Sequence, residues 1–107
     1  MKRLALLYML STPCHALDAN VLINIIECES SGNHRDTHGK VLEGDDGSSV
    51  GLLQFQKATF NEMKIKAGHP EWKWKNAVHQ MRLAVWMIEH GYARRWTCFR
   101  KLYKPMD

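Results

Sequence analysis

The run Cys28-Glu29-Ser30-Ser31-Gly32 places an acid in the last turn of an apolar helical pattern, just before a glycine. Apolar residues recur at helical spacing from residue 18 to residue 30, and they are Val21, Leu22, Ile25 and Ile26. At about 100° per residue, Glu29 falls in the middle of the arc that these side chains cover, whereas Glu27 points to the other side. The pattern predicts a helix over residues 18–30 that carries Glu29 on its apolar face.

An acidic side chain on an apolar helix face must be paired, protonated or exposed in a cleft, because burial of an unpaired charge is unfavourable. Partial burial raises the pKa of a carboxyl group, so Glu29 is a candidate proton donor near neutral pH. The alternative is that Glu29 lies at a frayed helix end and reaches water.

Residues 1–16 have the pattern of a signal peptide. Lys2 and Arg3 give a positive start, an apolar run follows from Leu4 to Leu10, and Ala16 ends a candidate cleavage site. We predict export to the periplasm or the cell exterior, and a mature chain of one domain over residues 17–107. The apolar run is too short for a stable anchor, so no membrane association is expected after cleavage. The alternative is a short buried N-terminal helix.

The chain has three cysteines, and cleavage of the signal would remove Cys14 and leave Cys28 and Cys98. An even pair of cysteines in an exported chain predicts one disulfide. The alternative, two unpaired buried thiols, applies only if the signal prediction is wrong.

The charge balance of the chain is mildly basic. Cleavage would remove Lys2 and Arg3, which lowers the number of basic residues from 15 to 13 against 11 acids, and the formal net charge from +4 to +2. That balance suits an anionic polymer such as a cell wall. The basic residues do not form a stripe with interleaved aromatic residues, so nucleic acid is not an expected partner.

The rest of the mature chain predicts a small, mainly helical α+β domain. Residues 33–47 are polar and predict a loop or a loose hairpin, and residues 48–55 predict a short strand or extended segment. A capping box at Thr59–Glu62 predicts a helix that ends at Gly68. Residues 76–90 predict a second helix, whose apolar face consists of Ala77, Met81, Ala84, Val85 and Ile88.

Aromatic and histidine side chains give weaker indications. Most aromatic residues are expected in the core, and Trp72 and Trp74, in a polar connector, are the better candidates to stack on sugar rings at the surface. His34 and His38 have the spacing of one helix face, but they lie in a glycine-bearing loop without a third ligand. No metal or other cofactor is therefore expected.

Four blocks of residues resemble known families, in the order in which those families carry them. The blocks are Cys28-Glu29-Ser30-Ser31-Gly32-Asn33, Gly51-Leu52-Leu53-Gln54-Phe55, Ala58-Thr59-Phe60, and Gly91-Tyr92 followed by Trp96-Thr97-Cys98. Together they resemble the resuscitation-promoting-factor domains of the lysozyme-like fold. The Glu-Ser start and the Gly-Leu-Leu-Gln block are also similar to soluble lytic transglycosylases.

The resemblance implies a small lysozyme-like domain with a short β-hairpin or extended segment beside an active cleft. It also implies cleavage of peptidoglycan glycan strands at the β-1,4 bond between MurNAc and GlcNAc. Glu29 matches the catalytic glutamate of these families, Cys28 with Cys98 match their disulfide pair, and Gln54 matches a cleft-lining glutamine. A monomer that acts on glycan strands is the expected form.

The chain departs from the families at three places. The loop between Asn33 and Ser48 is longer than in the typical factor, and Ser48 and Ser49 stand where transglycosylases usually have Gly-Ala. No tyrosine matches the one that assists in many transglycosylases, for which Tyr92 and Tyr103 are the candidates.

Glycosidic cleavage needs a proton for the leaving oxygen and stabilisation of a sugar cation. Glu29 is expected to act first as an acid and then as a base toward the sugar's own 6-hydroxyl, which gives a 1,6-anhydro end. In the alternative, a muramidase, a second carboxylate holds a water molecule or the cation, and Asp46 is the first choice before Asp45 and Glu43. These acids otherwise form a solvated turn. A glycan-binding module without catalysis is a further alternative.

Four residues are candidates to bind the substrate, and they are Ser49, Gln54, Asp46 and Tyr92. Ser49 and Gln54 are expected to hydrogen-bond either Glu29 or an acetamido group of the sugar. Their alternative role is to satisfy backbone groups around the predicted strand.

Overall fold

Four helices and a small antiparallel sheet make up residues 18–104, the part of the chain that the computed structural model describes. The predicted signal peptide, residues 1–16, lies outside the described residues. The helices are α1 (residues 18–30), α2 (Lys57–Lys66), α3 (Ala77–Glu89) and α4 (Thr97–Leu102). The strands are β1 (Glu43–Gly44), β2 (Ser49–Val50) and β3 (Phe55–Gln56), and short 3₁₀ turns occur at Asp45–Gly47 and Ala93–Arg95.

Helix α1 confirms the predicted helix over residues 18–30. Ile25 on its apolar face is fully buried, and its apolar neighbours Val21, Leu22 and Ile26 pack against the core. The helix ends where Ser31 and Gly32 adopt left-handed backbone angles, with φ of 53° and 82°. The chain therefore leaves the direction of α1 directly after the last helical turn, and this last turn carries Glu29.

The sheet has the order β1-β2-β3, and both pairs of strands are antiparallel. Glu43 pairs with Val50 across the first pair, and Val50 pairs with Phe55 across the second. An isolated antiparallel bridge between Arg35 and Val41 precedes the sheet. These pairings confirm the predicted loose hairpin and the predicted short extended segment.

Helix α2 begins at Lys57, before the predicted capping box at Thr59–Glu62. The N-cap is Gln56, whose backbone is extended and whose side chain makes no capping hydrogen bond. Strand β3 sets this start, because its pairing with β2 holds Gln56 extended and the helix follows directly. Gly68, with φ of 83°, lies just beyond the helix end as predicted.

Helix α3 lies close to its predicted bounds, but the face that it buries differs in part from the predicted one. The residues of α3 buried in the domain are Gln80, Leu83, Ala84 and Met87. Of the predicted face, Ala84 is buried, and Met81, Val85 and Ile88 are half-buried. The predicted face is confirmed in part, since Ala84 is buried and Met81 and Ile88 pack against the core. Apolar periodicity does not mark the polar residue Gln80, which lies in the buried face.

The core lies between the helices and the inner side of the sheet. Its buried members are Ile25, Leu53, Phe55, Phe60, Met63, Trp72, Leu83, Ala84, Met87 and Trp96. The prediction of Trp72 at the surface is wrong, since this side chain is buried and stacks on His69 at a centroid distance of 4.1 Å. Trp74 is half-buried and donates from Nε1 to the carbonyl of Phe55 at 2.8 Å.

A disulfide joins Cys28, in the last turn of α1, to Cys98, in the first turn of α4. The two Cα atoms lie 5.9 Å apart and are separated by 70 positions in sequence. The predicted pairing is confirmed. The bond fixes the C-terminal helix beside the acid-bearing end of α1.

None of the helices within residues 18–104 is both long and apolar enough to cross a membrane.

Candidate active site

A cavity of about 250 Å³ lies where the end of α1 meets the sheet and the start of α4. Five segments supply its walls: α1, the turn after β1, the segment from β2 into α2, helix α3, and the segment that contains α4. The residues that line it are Glu29, Asp45, Ser49, Gln54, Phe55, Gln56, Thr59, Met87, Arg95, Trp96, Thr97 and Arg100. Each of the four sequence blocks therefore contributes to the lining of this cleft, and the block Ala58-Thr59-Phe60 contributes Thr59.

Glu29 is half-buried in the wall of this cavity. Burial raises the pKa of its carboxyl group above the ordinary value, and the nearby carboxylate of Asp45 also raises it. A hydrogen bond from the backbone N–H of Cys98 lowers this pKa, as do the positive charges of Lys101 and Arg100. Burial is the largest of these effects, so the group holds its proton to a higher pH than an exposed glutamate does.

Asp45 is the second carboxylate in the cavity. The hydroxyl of Ser49 donates to Oδ2 of Asp45 at 2.8 Å, and this bond holds the acid toward the cleft. Asp45 and Asp46 both have left-handed backbone angles, with φ of 50° and 57°. Asp46, the first choice from the sequence, is not among the residues that line the cavity, whereas Asp45 is.

Ser49 and Gln54 line the cavity, but neither hydrogen-bonds Glu29. The hydroxyl of Ser49 is engaged by Asp45. The amide nitrogen of Gln54 donates to the carbonyl of Gly51 at 2.9 Å and more weakly to that of Leu42 at 3.4 Å. Gln54 therefore serves the backbone of the loop, which is the alternative that the sequence left open for it.

Tyr92 lies outside the cavity lining. Its ring stacks on Trp86 at a centroid distance of 5.7 Å and an interplanar angle of 12°. Tyr103 is also outside, since its hydroxyl accepts a hydrogen bond from Asn24 and its ring stacks on Phe99. The prediction of Tyr92 as a substrate-binding residue is not supported by its position, because packing against α3 holds it away from the cleft.

Gln80 holds the cavity wall in place from α3. Its side chain is fully buried, accepts from the N–H of Leu53 at 3.0 Å, and donates to the carbonyls of Val50 at 3.0 Å and Trp74 at 2.8 Å. Sequence reasoning missed this role. The available signal was its helical spacing, because Gln80 lies three residues after Ala77 and four before Ala84, which are two members of the predicted apolar face.

Trp96 and His34 also hydrogen-bond to the backbone of this loop, at Leu53 and Leu52. The indole N–H of Trp96 donates to the carbonyl of Leu53 at 3.0 Å, so Leu53 is held by its N–H and by its carbonyl. His34 accepts at Nδ1 from the N–H of Leu52 at 2.9 Å, and its Nε2 lies 2.8 Å from the carbonyl of Lys75. Both ring nitrogens of His34 are thus used, and among residues 18–104 no group of three possible metal ligands occurs.

Gly51 lies in this loop at the point where the side chains of Gln80 and His34 pack against its backbone. Its φ is 80°, and an added Cβ would lie 2.6 Å from Nε2 of Gln80 and 2.7 Å from Cε1 of His34. Only glycine combines a left-handed backbone with such a close approach. The glycine at position 51 is therefore explained by its backbone angle and by the close packing of Gln80 and His34.

Two arginines border the cavity on the side of α4. Arg95 makes an ion pair with Glu62, with 3.0 Å between Nη2 and Oε2. Arg100 donates from Nη2 to Oγ1 of Thr97 at 3.0 Å and from Nη1 to the carbonyl of Arg94. The lining of the cleft therefore contains two acids and two guanidinium groups.

Comparison with protein families gives one match. The sequence model of the family described as Transglycosylase SLT domain matches residues 13–98. Comparison with curated proteins and with solved structures gave no match. The matched range contains Glu29, the sheet and both cysteines of the disulfide.

Proposed function

Because the chain belongs to the Transglycosylase SLT domain family of the lysozyme-like superfamily, we propose that it is a peptidoglycan lytic transglycosylase with Glu29 as its general acid. Peptidoglycan glycan strands are the substrate that the family indicates. One observation carries the assignment to Glu29: its carboxyl group has a raised pKa and lies in the wall of the cleft. These are the properties that a proton donor near neutral pH requires.

In the proposed reaction the protonated carboxyl group of Glu29 donates its proton to the oxygen that links MurNAc to GlcNAc. The bond from C1 of MurNAc to that oxygen breaks, and GlcNAc leaves with a free 4-hydroxyl. The carboxylate of Glu29 then takes the proton of the 6-hydroxyl of the same MurNAc. The 6-oxygen bonds to C1, which gives a 1,6-anhydro end and returns Glu29 to its acid form.

The surroundings of Glu29 suit both steps. Burial favours the neutral acid before cleavage, and the N–H of Cys98 stabilises the carboxylate once the proton has left. A single carboxylate is sufficient, because the nucleophile belongs to the sugar. Ser49 and Gln54, at the cleft wall, are proposed to contact the sugar beside the cleaved bond through their side-chain oxygens as acceptors, because their donors already bond within the protein.

A muramidase is the second candidate, and the position of Asp45 favours it. Asp45 lines the same cavity as Glu29, and Ser49 fixes its carboxylate. A second carboxylate of this kind can stabilise the sugar cation or hold the attacking water. The product would then carry a reducing end instead of an anhydro end.

We also propose that the protein acts outside the cytoplasm, with residues 1–16 as its signal peptide. Its substrate lies there, and the disulfide between Cys28 and Cys98 fits an oxidising compartment. Detection of a mature chain that begins at Leu17 in the exported fraction would support the proposal, and an uncleaved chain in the cytoplasm would contradict it.

Mass spectrometry of the products from purified sacculi tests the function. The wild-type protein is expected to release muropeptides with 1,6-anhydro ends, and Glu29→Gln is expected to release none. Glu27→Gln is the matched control, because Glu27 lies on the same helix and is exposed outside the cavity. Reducing ends would favour the muramidase, and binding without any product would indicate a glycan-binding module.

A further inference from the structure

The two arginines at the cleft differ in what balances their charge. Arg95 is bonded to both carboxylate oxygens of Glu62, at 3.0 and 3.5 Å, so its charge is matched within the protein. Arg100 contacts only uncharged acceptors, the carbonyl of Arg94 and the hydroxyl of Thr97. Within residues 18–104 no ion pair involves Arg100.

The guanidinium group of Arg100 is held by hydrogen bonds within the protein and still has donors available for a ligand. A guanidinium group has five N–H donors, and the two bonds to Arg94 and Thr97 leave the others free. Those two bonds restrict the side chain before any ligand arrives, which reduces the entropy lost on binding. A fixed guanidinium with free donors is suited to a carboxylate, which it can bind in a bidentate manner.

We propose that Arg100 binds a carboxylate carried by the muramic acid residue of the glycan strand, beside the bond that Glu29 cleaves. The inference rests on the proposed function, because it concerns the same cavity. Muramic acid can offer a carboxylate from its lactyl group, when the stem peptide has been removed, or from the stem peptide itself. A chitin oligosaccharide has the same β-1,4 linkage and the same acetamido groups but no carboxylate.

The consequence is selection among glycans by charge. Arg100 contributes binding energy for strands that contain muramic acid and contributes none for chitin. The carboxylate of Asp45 in the same cavity would repel an anionic ligand, and the positive charge of Arg100 offsets this repulsion. Arg95, already paired with Glu62, supplies less of this attraction.

Arg100 also lowers the pKa of Glu29, so a change in rate alone would not identify a binding role. Binding is therefore measured in the Glu29→Gln protein, where position 29 cannot titrate. The ligands are naked glycan strands, strands that keep their stem peptides, and chitin oligosaccharides of equal length. Dissociation constants are compared before and after Arg100→Gln and Arg100→Lys.

Arg100→Gln is expected to weaken binding of the carboxylate-bearing strands about tenfold and to leave chitin binding unchanged. Arg100→Lys should keep part of the affinity, because it retains the charge but not the planar fork. Loss confined to naked strands identifies the lactyl carboxylate, and loss confined to peptide-bearing strands identifies the stem peptide. Arg82→Gln, an exposed arginine of α3 outside this cavity, is the charge-matched control and should change none of these affinities.

Equal weakening for chitin and for carboxylate-bearing strands would overturn the inference, and so would unchanged binding of all three ligands. Cleavage of sacculi by the wild-type protein, measured in parallel, separates this failure from that of the proposed function. If the wild type cleaves sacculi while Arg100→Gln shows no selectivity, only the role of Arg100 is lost. If the wild type neither binds nor cleaves any glycan, the proposed function itself is wrong.

Discussion

Glu29 accepts a hydrogen bond from the backbone N–H of Cys98, and the side chain of Cys98 is bonded to Cys28, the residue that precedes Glu29. The disulfide and the hydrogen bond therefore join the same two chain segments. The geometry around the acid is fixed by a covalent bond one residue away. A change in the disulfide is thus a change in the surroundings of the proposed catalytic group.

The pH dependence of activity should respond to Asp45. The proposed reaction requires the acid form of Glu29, so activity should be lost as pH rises through its pKa. Asp45 raises that pKa, and Asp45→Asn should therefore move the alkaline limb of the pH–rate profile to lower pH. Asp46→Asn, which changes the neighbouring acid outside the cavity, is the control. Coincident alkaline limbs for wild type and Asp45→Asn would refute the influence of Asp45 on the acid.

The same raised pKa predicts a pH-dependent gain in stability for Glu29→Gln. The folded protein holds the proton of Glu29 above the ordinary value of 4.5, while the unfolded chain releases it there. Stability from the protonated group is therefore present below pH 4.5 and is lost as pH rises through the folded pKa. Glutamine stays neutral, so Glu29→Gln should be the more stable protein at pH 7, and the two should converge at low pH. Urea unfolding at both pH values checks this, and a destabilised variant at pH 7 would count against burial of the acid.

Replacement of both cysteines should cost a large part of the stability of this small domain. The disulfide closes a loop over a sequence separation of 70, for which the chain-entropy model gives about 4 kcal/mol. The double variant Cys28→Ser with Cys98→Ser should also lose activity, because the N–H of Cys98 is no longer tied beside Glu29. Urea unfolding with and without a reductant checks the origin of the loss. Reductant should destabilise the wild type and leave the double variant unchanged. Equal sensitivity of both proteins to reductant would disprove that the disulfide accounts for the lost stability.

Gly51 and Gly68 form a matched pair for separating backbone strain from packing. Both have left-handed φ values, 80° and 83°, but an added Cβ at Gly68 meets no atom within 4 Å. Gly68→Ala should therefore cost about 1–2 kcal/mol from the backbone alone. Gly51→Ala should cost more and should reduce activity, because the new methyl group displaces Gln80 and His34 from the cleft wall. Equal unfolding free energies for the two variants would exclude the packing contribution.

The sequence predicted the parts of the site that depend on helical periodicity and on the count of cysteines. The apolar spacing in α1 placed Glu29 on the buried face, and Cys28 and Cys98 were predicted to pair because they are the two cysteines outside the predicted signal peptide. The first prediction follows from local helical geometry, and the second from the number of cysteines. The short sheet was also predicted in outline, from glycines and small residues around it.

Other features depend on contacts that local patterns do not contain. The choice between Asp45 and Asp46 is set by two left-handed residues in one turn, and no residue type marks which carboxylate faces inward. Gln80 is polar, so a rule based on apolar periodicity does not mark it as a buried residue of α3. Trp72 lies in a polar connector, and its burial follows from how that connector folds back on the core.

The hydrogen bonds of Leu53 have a consequence for the order of folding. Its N–H is held by Gln80, 27 positions away, and its carbonyl by Trp96, 43 positions away. Contacts between residues so distant in sequence require loop closure first, so they form later than the turns within a helix. We expect the amide of Leu53 to gain protection from hydrogen exchange later than the amides of α3 during refolding. The cleft is then among the last parts to become ordered, so a chain that has not yet docked its C-terminal segment lacks the cleft that the proposed reaction requires.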